Sequence, residues 1–254
     1  MTIKINPMPA MPLLAEPPPW NATPPGPTPR EIGKSVLGNS ITLHGARQAN
    51  VLVMAGVHGD ESEAVFLGHL LLTMGCPVPL IPCANPDGAL LRQRWNRNNV
   101  DLNRNLPSQD WTPEALNPRY PPGSAPASEP ETQAFLTALD IVRPTTILSL
   151  HSYKESFIEI ERGPEYLSAG LNGAIANYVN AVGVERRDAI GYPTPGAMGS
   201  FGWAVDLLVL TYELKRGTSH EELSKLAPPL IRLITALDAE RWQMPPGMPR
   251  QPAK

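Results

Sequence analysis

The sequence predicts one α/β domain in which strands and helices alternate around a largely parallel sheet. The apolar run 51–57 has the length and β-branching of a buried strand, and the segment 62–74 after it has the pattern of a helix. The same order of strand before helix recurs along the chain. Because helices between parallel strands cover the sheet, this alternation predicts a three-layer fold.

The other elements follow from apolar runs and from capping and breaking residues. Four further strands are expected, at 40–43, 78–83, 145–150 and 207–212. Three further helices are expected, at 129–142, 167–182 and 220–241. Ser128 and Glu131 fit a capping box at the start of the first of these, and Pro228 and Pro229 should break the last. The stretch 107–130 is rich in Pro, Ser and Gly and should be a long surface loop.

Composition limits the class of protein. The chain has 254 residues and a net charge of -3, so it shows no basic excess for nucleic acid or an anionic membrane surface. No apolar stretch is long enough to span a membrane, and prolines interrupt any apolar signal segment near the start. Cys76 and Cys83 are either a disulfide or two thiols, and two thiols suit a reducing compartment. We therefore expect a cytoplasmic protein.

Proline divides the chain into three parts. Ten of the first thirty residues are proline, so residues 1–30 cannot form a helix or a central strand. We expect an extended arm there, a catalytic domain over 31–243 and a similar tail over 244–254. The arm could lie on a neighbouring subunit, and we expect a homodimer.

Two histidines stand at predicted strand ends. His58 follows the strand 51–57, Glu61 lies three residues later, and His151 follows the strand 145–150. In open α/β sheets, ligands bind at the carboxyl edge of the strands. Two histidines and one glutamate leave a fourth position open, which is the arrangement of a catalytic Zn²⁺. For either histidine alone, a hydrogen bond at a strand end is the competing explanation.

Two further features face the same edge. Glu213 ends the strand 207–212 and could act as general base and then general acid, although a surface glutamate is the alternative. The segment 94–105 is dense in amide and guanidinium groups, which suits it to bind a substrate carboxylate. A solvated basic loop is the alternative for that segment.

Several short motifs together resemble the M14 family of zinc carboxypeptidases. They are HGDE (58–61), NPDG (85–88), VDLNRN (100–105), SEPET (128–132), GYPTPG (191–196) and the strand-end residues His151 and Glu213. The resemblance covers about residues 31–243. It is strongest to members of the family that act on murein peptides. It implies a three-layer α/β/α fold with a mostly parallel, mixed sheet.

The resemblance also implies a role for individual residues. His58, Glu61 and His151 would hold one Zn²⁺ per chain, and Glu213 would be the general base. The other implied roles are orientation of His58 by Asp101, oxyanion stabilisation by Arg94, binding of the substrate carboxylate by Asn103 and Arg104, and capping of the substrate by Tyr192. Arg92 and Arg97 flank Arg94, and the role assigned to Arg94 could belong to one of them instead. Three positions, Trp95, Asn99 and Leu106, depart from the family pattern, which bears on the local loop shape.

The substrate implied is the γ-D-glutamyl–meso-diaminopimelate amide of a murein tripeptide, cleaved during cell-wall recycling. One alternative is an N-acyl amino acid deacylase of the aspartoacylase and succinylglutamate desuccinylase type. Another is an inactive muropeptide-binding protein. Glu159 and Glu161 alternate with apolar residues, which predicts a half-exposed strand face, although one of them could meet the amino group of diaminopimelate.

Overall fold

The computed structural model describes residues 29–188 and 191–248. Its strands are β1 (Arg30–Lys34), β2 (Ser40–Leu43), β3 (Val51–Ala55), β4 (Leu80–Ile81), β5 (Thr146–Tyr153), β6 (Phe157–Ile160), β7 (Glu185–Arg187) and β8 (Leu208–Lys215). Its α-helices are α1 (Ser62–Thr73), α2 (Pro86–Leu91), α3 (Pro130–Val142), α4 (Ala169–Val182), α5 (Met198–Ala204) and α6 (His220–Asp238). The proline-rich arm expected over 1–30 lies almost wholly outside the described residues.

A six-stranded sheet forms the centre of the domain, in the order β4-β3-β5-β8-β6-β7. The pairings are parallel except between β6 and β8, which are antiparallel. Strands β1 and β2 form a separate antiparallel hairpin. The predicted α/β fold with a mostly parallel, mixed sheet is therefore confirmed.

Apolar side chains cover both faces of the sheet, which produces the three layers. On one face, leucines and other apolar residues of α1, α4 and α6 pack against alternate residues of β3, β5 and β8. On the other face, α3, α5 and the β1–β2 hairpin pack against the intervening residues. Such burial on both faces explains why the central strands are almost continuously apolar.

The capping box predicted at the start of α3 is wrong. Helix α3 begins after Glu129, whose side chain makes no capping bond. The Ser128 hydroxyl instead donates to Glu129 Oε1 at 2.7 Å, and Glu131 accepts hydrogen bonds from the Val36 backbone and from the Asn96 side chain. The carboxylates of Glu129 and Glu131 are thus used in contacts other than capping. Pro130, in the first turn, has no backbone N–H that would need an acceptor.

Two further predictions are also wrong. Helix α6 continues through Pro228 and Pro229, because its buried face packs against α1 and α4 and outweighs the hydrogen bonds that proline removes. Strand β6 is not half-exposed: all four of its residues are buried, including Glu159. Short elements with little periodicity, α2, α5 and β7, were not expected at all.

None of the described helices combines the length and the apolar character needed to cross a membrane. Cys76 and Cys83 are free and partly buried, and burial raises the pKa of each thiol to about 11. Of the two cysteine states that the sequence allows, the structure therefore has two thiols.

The loop after β3 contacts the backbone of α2 at Gly59. A Cβ atom there would lie 1.9 Å from the carbonyl carbon of Gly88. We predict that Gly59→Ala lowers the free energy of unfolding by about 1–3 kcal/mol or more, because the backbone must move. Urea unfolding followed by circular dichroism measures the change.

Gly173→Ala is the matched control for this substitution. Gly173 is exposed within α4, and a Cβ atom there would meet nothing within 4 Å. Alanine should stabilise that helix by about 0.5–1 kcal/mol. Equal unfolding midpoints for Gly59→Ala and the parent protein would contradict the close packing of this loop.

Candidate metal and active site

His58, Glu61 and His151 converge at the carboxyl edge of β3 and β5. His58 Nδ1 lies 2.9 Å from Glu61 Oε1 and 3.2 Å from His151 Nδ1. His151 Nδ1 lies 3.0 Å from Glu61 Oε2. All three residues are buried, and they are able to hold a metal ion. The structure thus brings together the three residues that the sequence suggests as metal ligands.

The donor set fits a divalent cation. Burial alone would raise the pKa of Asp101, but His58 and Arg94 hold it well below the usual range. The carboxylate is therefore ionised, and His58 Nε2, at 3.1 Å, donates to it. His58 Nδ1 then presents a lone pair towards the carboxylate oxygen of Glu61. Two such acceptors this close repel each other unless a proton or a cation lies between them.

The spacing of the donor atoms agrees with this fit. Around a tetrahedral Zn²⁺ with bonds of about 2.0–2.1 Å, neighbouring ligand atoms lie about 3.3 Å apart. The Nδ1 atoms of His58 and His151 are 3.2 Å apart, and they lie 2.9 Å and 3.0 Å from the two different oxygens of Glu61. With one ligand atom from each residue, the three donors lie within 4.8 Å of one another, which is close enough for them to share one ion.

Asp101 connects the triad to Arg94. Its Oδ2 accepts a hydrogen bond from Arg94 Nε at 2.9 Å, and its Oδ1 accepts one from the Asn103 backbone as well as from His58. Arg94 Nη1 also lies 3.8 Å from Glu61 Oε1. The side chain of Asp101 is completely buried, so this carboxylate fixes a histidine and an arginine at once.

Glu213 opens into the same pocket, which has a volume of about 490 Å³. It lies within β8, directly opposite His151 of β5. Its Oε2 is buried and has no hydrogen-bond partner among the described residues. Burial raises the pKa of Glu213 to about 7. Such a carboxylate is positioned to exchange a proton with a group in the pocket.

Asn103 and Arg104 line the same pocket. Asn103 Oδ1 accepts a hydrogen bond from the Met198 backbone at 2.8 Å, which leaves the amide NH₂ as the donor for a ligand. The guanidinium groups of Arg94 and Arg104 each lie 4.9 Å from the centre of the Tyr120 ring. Tyr192, which is 44% exposed, also lines the pocket.

Sequence reasoning missed Tyr120 and Arg216. Tyr120 lies in the long Pro-rich loop, where no periodicity marks it. Arg216 follows β8, lines the pocket and lies 3.2 Å from Asp60 Oδ2 and 3.6 Å from Glu61 Oε1. The clue to Arg216 in the sequence is its position directly after the strand that carries Glu213, at the edge of the sheet where the site lies.

The three residues that depart from the family pattern each have a defined place in this part of the chain. Asn99 has a φ of 59°, a left-handed conformation that asparagine tolerates better than most residues. Trp95 Nε1 donates to the Arg119 carbonyl at 2.8 Å, and Leu106 is buried in the core. Arg92 and Arg97 are exposed and do not line the pocket, which leaves Arg94 as the arginine of this group beside the triad.

Comparison with known proteins agrees with this geometry. A profile of the zinc carboxypeptidase family matches residues 75–164. Murein peptide amidase A of Escherichia coli strain K12 is 32% identical over 231 residues, which cover 84% of this chain and 91% of that protein. The chain belongs to the zinc carboxypeptidase family.

Two further relatives have the same name or a closely related one. Murein peptide amidase A of Vibrio campbellii is 28% identical, with 82% of this chain and 87% of that protein covered. The crystal structure of murein-tripeptide amidase from Escherichia coli O157 matches with a TM-score of 0.66 and 28% identity, over 88% of this chain and 95% of that one. In both comparisons the match covers most of this chain and most of the relative.

We predict that Asp101→Asn weakens Zn²⁺ binding by about 10- to 100-fold, because the charge that orients His58 is lost. Competition with a coloured chelator measures the affinity without relying on catalysis. Asp140→Asn, on the exposed side of α3, is the control and should leave the affinity unchanged. If Asp101→Asn bound Zn²⁺ as tightly as that control, Asp101 would not support the triad.

Proposed function

We propose that this member of the zinc carboxypeptidase family hydrolyses the amide bond between γ-D-glutamate and meso-diaminopimelate in murein peptides. One observation carries the proposal. A metal-binding triad and the unpaired carboxylate Glu213 share one pocket, in a chain that matches murein peptide amidase A over 91% of that protein's length. The same match makes a murein tripeptide the expected substrate.

We propose His58, Glu61 and His151 as the ligands of one Zn²⁺ ion. When bound, the ion would supply a Lewis acid that polarises the amide carbonyl and lowers the pKa of a water molecule to about 7. The protein contributes the geometry: Asp101 holds the tautomer of His58, and the Ser152 backbone donates to Glu61 Oε2 at 3.0 Å. Both contacts keep the donor atoms directed inwards.

In this proposal, Glu213 moves the proton. Its unpaired Oε2 accepts a proton from the attacking water and then delivers it to the leaving nitrogen. The strand pairing with His151 fixes the backbone of Glu213 beside the triad. Because this oxygen has no competing hydrogen bond within the described chain, it is available to both partners in turn.

Guanidinium and amide groups of the pocket would position the substrate. Arg94, held by Asp101, would donate to the oxyanion that develops on the carbonyl oxygen. Arg104 and the Asn103 amide would bind the carboxylate next to the scissile bond, which fixes the direction of attack. Tyr192 would cover the bound residue from the exposed rim of the pocket.

We also propose that the reaction belongs to murein recycling in the cytoplasm. Two unpaired, partly buried cysteines support a reducing compartment. Free meso-diaminopimelate would be the released product.

The proposal is tested by incubating the protein with L-Ala-γ-D-Glu-meso-diaminopimelate and measuring free diaminopimelate. Release should stop when a chelator removes the metal and return when Zn²⁺ is added back. N-acetyl-aspartate is the comparison substrate. Turnover of N-acetyl-aspartate without release of diaminopimelate would favour a deacylase, and stoichiometric Zn²⁺ without turnover of either would favour a binding protein.

We predict that Glu213→Gln binds one Zn²⁺ per chain but loses about 10²–10⁴-fold in kcat, because the amide cannot accept the proton. Metal analysis and the diaminopimelate assay measure the two effects separately. Glu165→Gln, an exposed substitution outside the pocket, should keep both properties. Turnover by Glu213→Gln at the parent rate would contradict the role of this carboxylate.

A further inference from the structure

Two arginines of the pocket contact the same aromatic ring. The guanidinium carbons of Arg94 and Arg104 each lie 4.9 Å from the centre of the Tyr120 ring, and all three residues line the pocket. We propose that Tyr120 is a positioning residue, which holds these two guanidinium groups where they meet the substrate. The inference rests on the proposed function, in which Arg94 serves the oxyanion and Arg104 the carboxylate.

The contact suits an arginine that must remain available to a ligand. A cation within about 6 Å of a ring centre is attracted by the electrons of the ring, and both guanidinium groups meet this distance. The attraction acts on the charge and leaves the N–H donors of the guanidinium fork free. A carboxylate partner would instead occupy the donors that the substrate needs. An aromatic ring therefore holds the arginine without competing for its ligand.

Arg104 depends on this contact more than Arg94 does. Arg104 is 5% exposed, and among residues 29–188 and 191–248 it forms no ion pair. Its Nη1 donates to the backbone carbonyl of Asn103. Burial lowers the pKa of Arg104, and the charge of Arg94 acts in the same direction, whereas Asp101 opposes both. A buried charge without a paired carboxylate is costly, so the ring supplies part of the missing compensation.

Arg94 has a second, stronger support. Its Nε donates to Asp101 Oδ2 at 2.9 Å, so the ring adds to a contact that already fixes the side chain. Loss of the ring should therefore disturb Arg104 first. Because Arg104 would bind a carboxylate that is present before and during the reaction, its displacement should raise KM more than it lowers kcat.

The backbone around Tyr120 is attached to the segment 94–105, which carries both arginines. Three carbonyl groups beside the tyrosine accept hydrogen bonds from that segment. The carbonyls of Arg119, Pro121 and Pro122 accept from Trp95 Nε1, the Asp101 backbone nitrogen and Asn105 Nδ2, each at 2.8 Å. The ring is thus fixed to the same segment as the arginines that it contacts, which a positioning role requires.

Two substitutions of Tyr120 separate the ring from the fold. Tyr120→Leu should raise KM for L-Ala-γ-D-Glu-meso-diaminopimelate about 5- to 30-fold and leave kcat within about threefold. Tyr120→Phe keeps the ring and should keep both constants within about threefold of the parent values. Leu116→Ala, an exposed substitution in the same loop that does not line the active-site pocket, is the control. A lower kcat at unchanged KM for Tyr120→Leu, or equal losses for Leu and Phe, would contradict the inference.

A double-substitution cycle shows whether the ring acts through Arg104. In the Arg104→Ala background, Tyr120→Leu should change KM by less than about twofold, because the group that the ring positions is already absent. If the two substitutions instead raised KM by the product of their separate effects, Tyr120 would act independently of Arg104, and the inference would be overturned while the proposed function stands.

Hydrogen exchange keeps the test independent of turnover. In protein labelled with ¹⁵N-arginine, the side-chain N–H protons of Arg104, assigned by their loss in Arg104→Lys, should exchange about 5- to 30-fold faster in Tyr120→Leu than in Tyr120→Phe. Arg162, which is 1% exposed and donates to the Gly202 carbonyl, is the internal reference and should not change.

The two proposals can then fail separately. If no γ-D-glutamyl peptide is cleaved but Arg104 alone exchanges faster in Tyr120→Leu, the proposed function fails and the positioning role stands. Equal exchange rates for Arg104 in the Leu and Phe variants, or an equal acceleration at Arg162, would overturn the inference whatever the substrate.

Discussion

The whole site depends on the parallel register of β3, β5 and β8. In that register Ala55 lies opposite Leu150, and His151 lies opposite Glu213. Leu150 and Tyr212, which alternate with His151 and Glu213, are buried in the core beneath α1, α4 and α6. A slip of one residue would exchange these two sets of side chains between the faces of the sheet. Burial of the apolar set therefore keeps the ionisable set directed towards the pocket.

The face of the sheet that carries the site becomes more polar, one pleat at a time, towards its carboxyl edge. Along β5, buried Ile147 is followed by Ser149 and then by His151. Along β8, Val209 is followed by Thr211 and then by Glu213. The charged groups at the edge are linked from Glu61 through His58 and Asp101 to Arg94. Because these groups are buried, the loss of one leaves its partner uncompensated, which is costly.

The long strands and the converging residues could be predicted from the sequence, because apolar runs end in His151 and Glu213 and parallel strands share one carboxyl edge. Short elements could not, since the six residues of α2 and the seven of α5 show little periodicity. The position of Tyr120 depends on tertiary bonds such as that from Trp95 to the Arg119 carbonyl. Alternation in β6 suggested exposure to solvent, but Glu159 is buried in the pocket, and the sequence gives no indication of what covers a strand.

Anomalous diffraction at the zinc absorption edge, from crystals grown with Zn²⁺, tests the central claim most directly. The account predicts one strong peak per chain, about 2.0–2.1 Å from Nδ1 of both His58 and His151 and about 2.0–2.2 Å from a Glu61 oxygen. Glu213 should remain outside the coordination sphere. The absence of a peak between these three side chains in fully loaded crystals, or a peak at another cluster, would contradict the account.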